Sequence, residues 1–315
     1  ELWKDILYRN HRPFIKSALS GNEVELANLL VNFYRHRVTS GMVYPDSFNV
    51  LGSRFHRNWY GKLRIVRSLV SLRSKLEGDS DVISDKLVSS LSLDIGNPLP
   101  VRLANKPVPF EQLYHVGIVR DIHELFPISQ LEDKHIVDLG SGIGNVLAII
   151  AKTLGNVQCT YIDLPENLIL AAYTAQKMLP EAQFNFGDVS KVSENPDGVI
   201  LNFIPYYEID HLAEKSVDMI TNTFSLPEME ADAAEYYIKT MSRILKDDGR
   251  FFSINRKETV HGKGQVGFTM TGIKKLITKT KVFEKDLELS LVDSFSQNRD
   301  AIYPEENTEI ALYKK

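Results

Sequence analysis

The sequence predicts an α/β protein, a doubly wound and mostly parallel sheet behind a helical amino-terminal portion. Three observations predict it. Strand-like and helix-like stretches alternate from Lys134 to the end, a glycine-rich turn follows the first of those strands, and the stretch before them has helical rather than alternating apolar spacing.

From Glu1 to about Gln130, stretches such as "NEVELANLLVNFYRHRV" and "KLRIVRSLVSLRSKLEG" set apolar residues three to four apart, the spacing of helices with one buried face. The segment "LDIGNPLPVRLANKPVPFEQLYH" breaks this pattern with Pro98, Pro100, Pro107 and Pro109, and predicts an irregular linker or ordered loop. Then follow the strand "HIVDLG", a helix from about Asn145 to Leu154 stopped by Gly155, the strand "VQCTYID", a helix through Ala175, and the strands "AQFNFGD" and "GVILNFIP". After these come "VDMITNTF", a helix from about Met229 to Leu245, "GRFFSIN", a helix around Gly272 to Lys279, and finally "LELSLVDSFS" and "TEIALYKK". With no helix between them, the last two predict an antiparallel hairpin at the sheet edge. The chain thus divides into a mostly helical substrate or dimerisation region over 1–130 and an α/β domain over 131–315.

Composition narrows the function classes. The 315 residues are 43% hydrophobic and 25% charged, enough for a sizeable core in one large or two smaller domains. Thirty-seven basic against 41 acidic residues give a net charge of -4, so the global field attracts neither nucleic acid nor an anionic membrane. Cys159 is the only cysteine. It suits a small buried hydrophobe and excludes a disulfide framework or a cysteine zinc site. No apolar run reaches the ~18 residues of a membrane span. These features predict a cytoplasmic protein with no membrane insertion and no nucleic-acid partner. The chain begins at Glu1 rather than at methionine, which fits a part of a larger multi-domain polypeptide, and the helical region also suits a homodimer contact.

The turn "VDLGSGIGN" carries the chemistry. Its strand ends at Asp138, and Gly140, Gly142 and Gly144 let the backbone turn tightly and approach a ligand. A dinucleotide site would want a third glycine where Asn145 stands, and no Lys-Ser or Lys-Thr pair follows as in a P-loop. Asp163 ends the next strand about 20 positions on, the distance of a carboxylate that accepts from a ribose diol. Asp188 in "NFGDV" ends the third strand along the chain. Asp163 is also good helix-capping chemistry, because "DLPEN" puts a proline at an early helical position.

An acid at the end of the first strand, a three-glycine loop and acids ending the second and third strands together resemble the class I S-adenosylmethionine-dependent methyltransferases, over roughly residues 134–315. The resemblance implies a Rossmann-like seven-stranded methyltransferase sheet with S-adenosylmethionine as cofactor. It implies that Asp138, Gly140, Gly142 and Gly144 lie under the methionine part, that Asp163 with Leu164 holds the ribose, and that Asp188 with Val189 holds the adenine.

Methyl transfer from a sulfonium is an in-line displacement, so an acceptor hydroxyl needs positioning and a base. The strand end "TNTFSLPEME" offers Asn222 and Ser225 to the acceptor and Glu228 as a base; the same residues also suit the start of a helix. It lacks the Asn-Pro-Pro-Tyr or Asp-Pro-Pro-Tyr sequence of nitrogen and DNA methylating subfamilies. His261, in the loop "INRKETVHGKGQVG", is a second candidate base, and Tyr114 in "QLYHVGIVRDIHE" a candidate at the cofactor. Between Arg54 and Lys75 the chain has seven cations and no acid, with Arg54, His56 and Trp59 as acceptor contacts that suit an anionic glycan or a nucleotide sugar. The segments "IDLPENLILAAYTAQKMLP", "ILNFIPYYEI" and "NTFSLPEME", with the upstream "GNP", are similar to a family of sugar O-methyltransferases of bacterial polysaccharide gene sets. That resemblance implies a sugar hydroxyl as acceptor and surface polysaccharide as product. A natural-product hydroxyl acceptor and a non-catalytic scaffold are the alternatives. "TNTFS" at the end of "VDMITNTF" has no carboxylate before Glu228 and so lacks a paired acidic motif, which favours chemistry without a metal.

Overall fold

The computed structural model describes residues 10–39, 42, 82–103, 106–187, 197–256, 272, 284–288 and 308–315. The chain opens with helices α1 (Arg12–Leu19) and α2 (Glu23–Val31). Asn22 starts α2 by accepting from the Glu25 N–H at 3.2 Å and donating to the Glu25 carboxylate at 3.1 Å. Two 3-10 turns follow, Phe33–Arg35 and Arg37–Thr39, and later helix α3 (Val82–Ser89).

The proline-rich stretch is not an irregular linker. It forms an antiparallel hairpin of β1 (Pro100–Leu103) and β2 (Lys106–Pro109), with Pro100 opposite Pro109 and Arg102 opposite Pro107. Each strand of a two-stranded ribbon has one edge without a ladder, where a missing proline N–H breaks no bond. The hairpin feeds α4 (Phe110–Leu125), which is buried along most of its length.

The α/β layer then runs β3 (His135–Leu139), α5 (Asn145–Leu154), β4 (Val157–Asp163), α6 (Pro165–Met178), β5 (Gln183–Phe186), β6 (Val199–Pro205), β7 (Val217–Thr223), α7 (Ala231–Ile244), β8 (Leu245–Arg256), β9 (Glu284–Glu288) and β10 (Thr308–Lys314). Its sheet has the order β5-β6-β4-β3-β7-β8-β10-β9. The strands are parallel except β10, which runs antiparallel to both β8 and β9. Successive strands step one way from β3 to β4 and the other way to β7, so the sheet has its switch point beside β3.

The doubly wound, mostly parallel sheet is present with eight strands, one more than the seven the resemblance implied, and β5 is the strand predicted at "AQFNFGD". β6, not β5, lies against β4. Composition explains the placement. β6 is buried along nearly its whole length, as an interior parallel strand must be, whereas β5 leaves Gln183 and Phe186 exposed.

One core cluster joins Phe14, Phe33 and the α4 residues to α5, α6 and Leu312 on one face of the sheet. A second packs α7 on the other face through Ile162, Ile204, Ile220 and Ile238. The division at residue 130 therefore falls inside a shared core. Cys159 is fully buried. The helical stretch "KLRIVRSLVSLRSKLEG", the helix around Gly272 to Lys279 apart from Gly272 itself, and the strand beyond Glu288 lie outside the described residues.

Candidate functional site

β3 and β4 pair in parallel, with Leu139 opposite Ile162, so the glycine turn and Asp163 leave the sheet at one edge. Gly140 N–H donates to the Ile162 carbonyl at 2.8 Å and closes the turn against β4. Gly140, Gly142 and Gly144 have φ of 78°, 55° and 77°. The reasons for glycine differ along the turn. A Cβ on Gly140 would stand 2.2 Å from Ser225 Oγ, and one on Gly144 would stand 2.9 Å from Ala171 Cβ. On Gly142 it would meet only Met42, at an ordinary 3.6 Å. Packing thus gives Gly140 and Gly144 a reason to be glycine in addition to the tight turn.

Asp163 ties the turn to α6. Its Oδ2 accepts from Gly142 N–H at 2.6 Å, and its Oδ1 accepts from Leu164 N–H at 2.7 Å and Asn167 Nδ2 at 2.8 Å. The capping reading therefore holds in part, with Leu164 as the first flanking residue of α6. A carboxylate has about four acceptor sites, so with three in use capacity remains for one hydroxyl of a ribose diol. Burial pushes the Asp163 carboxyl up to about 6 against these hydrogen bonds.

Asp138 is buried and accepts from Thr221 Oγ1 at 2.7 Å. Burial pushes it up to about 7, with the Thr221 hydrogen bond opposing and the charge of Asp163 adding. Two carboxyl groups at the ends of adjacent strands, Asp138 buried and Asp163 half-buried, suit a cationic ligand. Two buried polar atoms here also lack partners, Ser141 Oγ in the turn and Asn167 Oδ1 beside Asp163. Buried polar groups of this kind are normally satisfied, and a polar ligand at the turn would do so.

Asn222 and Ser225 are engaged differently from the prediction. Asn222 is fully buried; its Nδ2 donates to the Leu139 carbonyl at 2.8 Å, and its Oδ1 accepts from Asn255 Nδ2 at 3.0 Å. Ser225 Oγ donates to the same Leu139 carbonyl at 3.0 Å. Asn222 at the end of β7 and Ser225 just beyond it thus share the carbonyl of Leu139, the residue before the glycine turn. A polar residue after a parallel strand has backbone carbonyls to satisfy before any ligand.

Glu228 ends the 3-10 turn Leu226–Glu228, ahead of α7. Tyr114 lies on α4, its ring 6.3 Å from that of Phe224, and both are half-buried. Phe224 has φ of 61°, a left-handed conformation that a bulky residue adopts only where its surroundings impose it. His115 is buried and pushed down to about 4 by desolvation, so it stays neutral and is a weak base. Asp188, Val189, His261, Arg54, His56 and Trp59 lie outside the described residues.

Sequence reasoning missed Thr221, Asn167, Phe224 and Met42. Only Asn167 had a signal, its four-residue spacing from Asp163 at a helix start. The others depend on contacts between segments remote along the chain.

No family model matches the chain. Over 97 residues it is 30% identical to norreticuline-7-O-methyltransferase of Papaver somniferum, a stretch that makes up 30% of this chain and 26% of that enzyme. The chain thus matches about a quarter of that relative's length, 26%. The magnesium protoporphyrin IX methyltransferase of Synechocystis with bound SAH aligns over 85% of this chain and 97% of its own, at 12% identity and a TM-score of 0.44. A type 11 methyltransferase from Sulfolobus solfataricus aligns over 61% of this chain and 90% of its own, at 17% identity and a TM-score of 0.39. Likeness at this level bears on neither substrate nor activity.

Proposed function

We propose that the chain is an S-adenosylmethionine-dependent O-methyltransferase. The observation that carries this reading is the joint held by Asp163, whose carboxylate ties the Gly140–Gly144 turn to α6 at the edge where β3 and β4 end. In this reading the turn holds the methionine part, with Ser141 Oγ free to bond it. Asp163 and Asn167 hold the ribose hydroxyls, and Asp138 opposes the positive charge. S-adenosylmethionine, when bound, supplies a methyl group activated by its sulfonium. The protein's part is to hold the acceptor oxygen in line with that methyl and to remove its proton, a task for Glu228 or His261.

The acceptor in this reading is a sugar hydroxyl, with surface polysaccharide as the product and Arg54, His56 and Trp59 as further contacts. Tyr114 and Phe224 offer ring faces on which the apolar face of a sugar can rest. The same pair favours a second reading, a phenolic or other natural-product hydroxyl. The setting is cytoplasmic in either case. Among the described residues no helix is long and apolar enough to cross a membrane.

Calorimetric titration with S-adenosylmethionine and S-adenosylhomocysteine, with NADH as control, tests the cofactor. Binding of the first two at micromolar levels supports it; binding of NADH alone, or of none, rejects it. Transfer of radiolabelled methyl to a panel of glycans and phenols then separates the two acceptors.

A further inference from the structure

We infer that the two 3-10 turns after α2, together with Met42, form a wall of the cofactor pocket over the glycine turn, and that Tyr34 is the positioning residue that seats this wall. The inference rests on the S-adenosylmethionine reading of the turn.

The first 3-10 turn is clamped at its outer side. Tyr34 N–H donates to the Gly96 carbonyl at 3.0 Å and Arg35 Nη2 to the Pro98 carbonyl at 2.8 Å. The Phe33 ring fills the space a Gly96 side chain would need, 2.4 Å from where its Cβ would stand. At its inner side the Tyr34 hydroxyl, fully buried, accepts from Asn145 Nδ2 at 3.0 Å. Asn145 is the first residue of α5, directly after Gly144, and its amide nitrogen also lies 3.2 Å from His115 Nδ1 on α4. Three segments distant along the chain therefore meet where the glycine turn becomes a helix.

That meeting does nothing for the helix start itself, because no side chain caps α5. Asn145 Oδ1 is left buried without a partner. A buried amide with half of its capacity unused is costly unless the half in use fixes an arrangement. Here the half in use fixes the amino-terminal segment against the turn.

The second 3-10 turn completes the wall. Val38 and Thr39 are buried, and Met42 N–H donates to the Thr39 carbonyl at 3.0 Å. Met42 thereby reaches Gly142, the one glycine of the turn whose missing side chain is not replaced by a close protein contact. The same Gly142 donates its N–H to Asp163. A thioether is a soft, adaptable apolar surface, suited to the methylene chain of the cofactor's methionine part.

The test is calorimetric affinity for S-adenosylhomocysteine, read beside the thermal midpoint, in the full chain. Tyr34→Phe and Asn145→Ala should each weaken binding by about fivefold, the worth of one buried hydrogen bond. The double variant should weaken binding by less than the two single losses multiplied together, because both remove the Tyr34–Asn145 link. Met42→Ala should weaken binding as well, and Met42→Leu should restore it. Ile238→Val, in the core behind α7, should lower the midpoint without moving affinity. If Tyr34→Phe lowers the midpoint yet leaves affinity within about twofold, Tyr34 is only structural and the inference is overturned. A wild-type chain that binds no S-adenosylhomocysteine overturns the cofactor reading itself.

Discussion

Asp138 is where a single residue ties stability to the site. Its carboxyl rises from 3.8 to about 7, mainly because burial disfavours the charge. The folded chain thus holds this proton more tightly than the unfolded one. The stability that follows is complete below 3.8 and is lost as pH rises through about 7. Asp138→Asn keeps an acceptor for Thr221 and cannot ionise. Its thermal midpoint, compared with wild type, should gain steadily between about pH 4 and about pH 8; a constant gap would mean that Asp138 is not desolvated as described. Gly140 gives a second residue-scale expectation. Gly140→Ala meets both a left-handed φ of 78° and Ser225 Oγ at 2.2 Å, so it should destabilise by more than the ~1 to 2 kcal/mol of the backbone alone. Adding Ser225→Gly removes the contact and should recover part of the loss in urea unfolding; no recovery would show that Ser225 is not what excludes a side chain there.

At the scale of the element, α5 shows what the sequence made legible. Its bounds were readable because glycines flank an apolar run, and both flanking glycines are left-handed, Gly144 at 77° and Gly155 at 79°. They differ in surroundings, since Gly155 has open space around it and Gly144 faces Ala171 and Tyr161. Gly155→Ala should therefore cost about 1 kcal/mol and Gly144→Ala clearly more, by denaturant midpoints. Leu147→Ala, at a fully buried position on the same helix, should cost about 2 to 5 kcal/mol. Equal losses for the two glycines would remove the packing reason given for Gly144. Elsewhere local pattern was a poorer guide. The β1–β2 hairpin was hidden because proline marks a turn and also tolerates a ribbon edge, and sequence does not say which. Asn222 and Ser225 looked like ligand-facing polar groups because nothing local reveals that the Leu139 carbonyl lies within their reach.

The order of strands is a property of the whole molecule, and it decides which residues border the far end of the pocket. A ligand that starts on the glycine turn and passes Asp163 next meets the end of β6, because Asp163 lies opposite Pro205 in the paired strands. Tyr206 and Tyr207 follow immediately, 42% and 58% exposed. β5 lies one strand further out, beyond β6. The sequence could not show this, because order along the chain does not fix order across a sheet. A base stacked on an aromatic ring is worth about 1 to 3 kcal/mol. If the cofactor reading holds, Tyr206→Ala or Tyr207→Ala should therefore weaken S-adenosylhomocysteine binding about tenfold or more. Affinity within about twofold of wild type in both variants would mean that the rings after β6 do not hold the adenine.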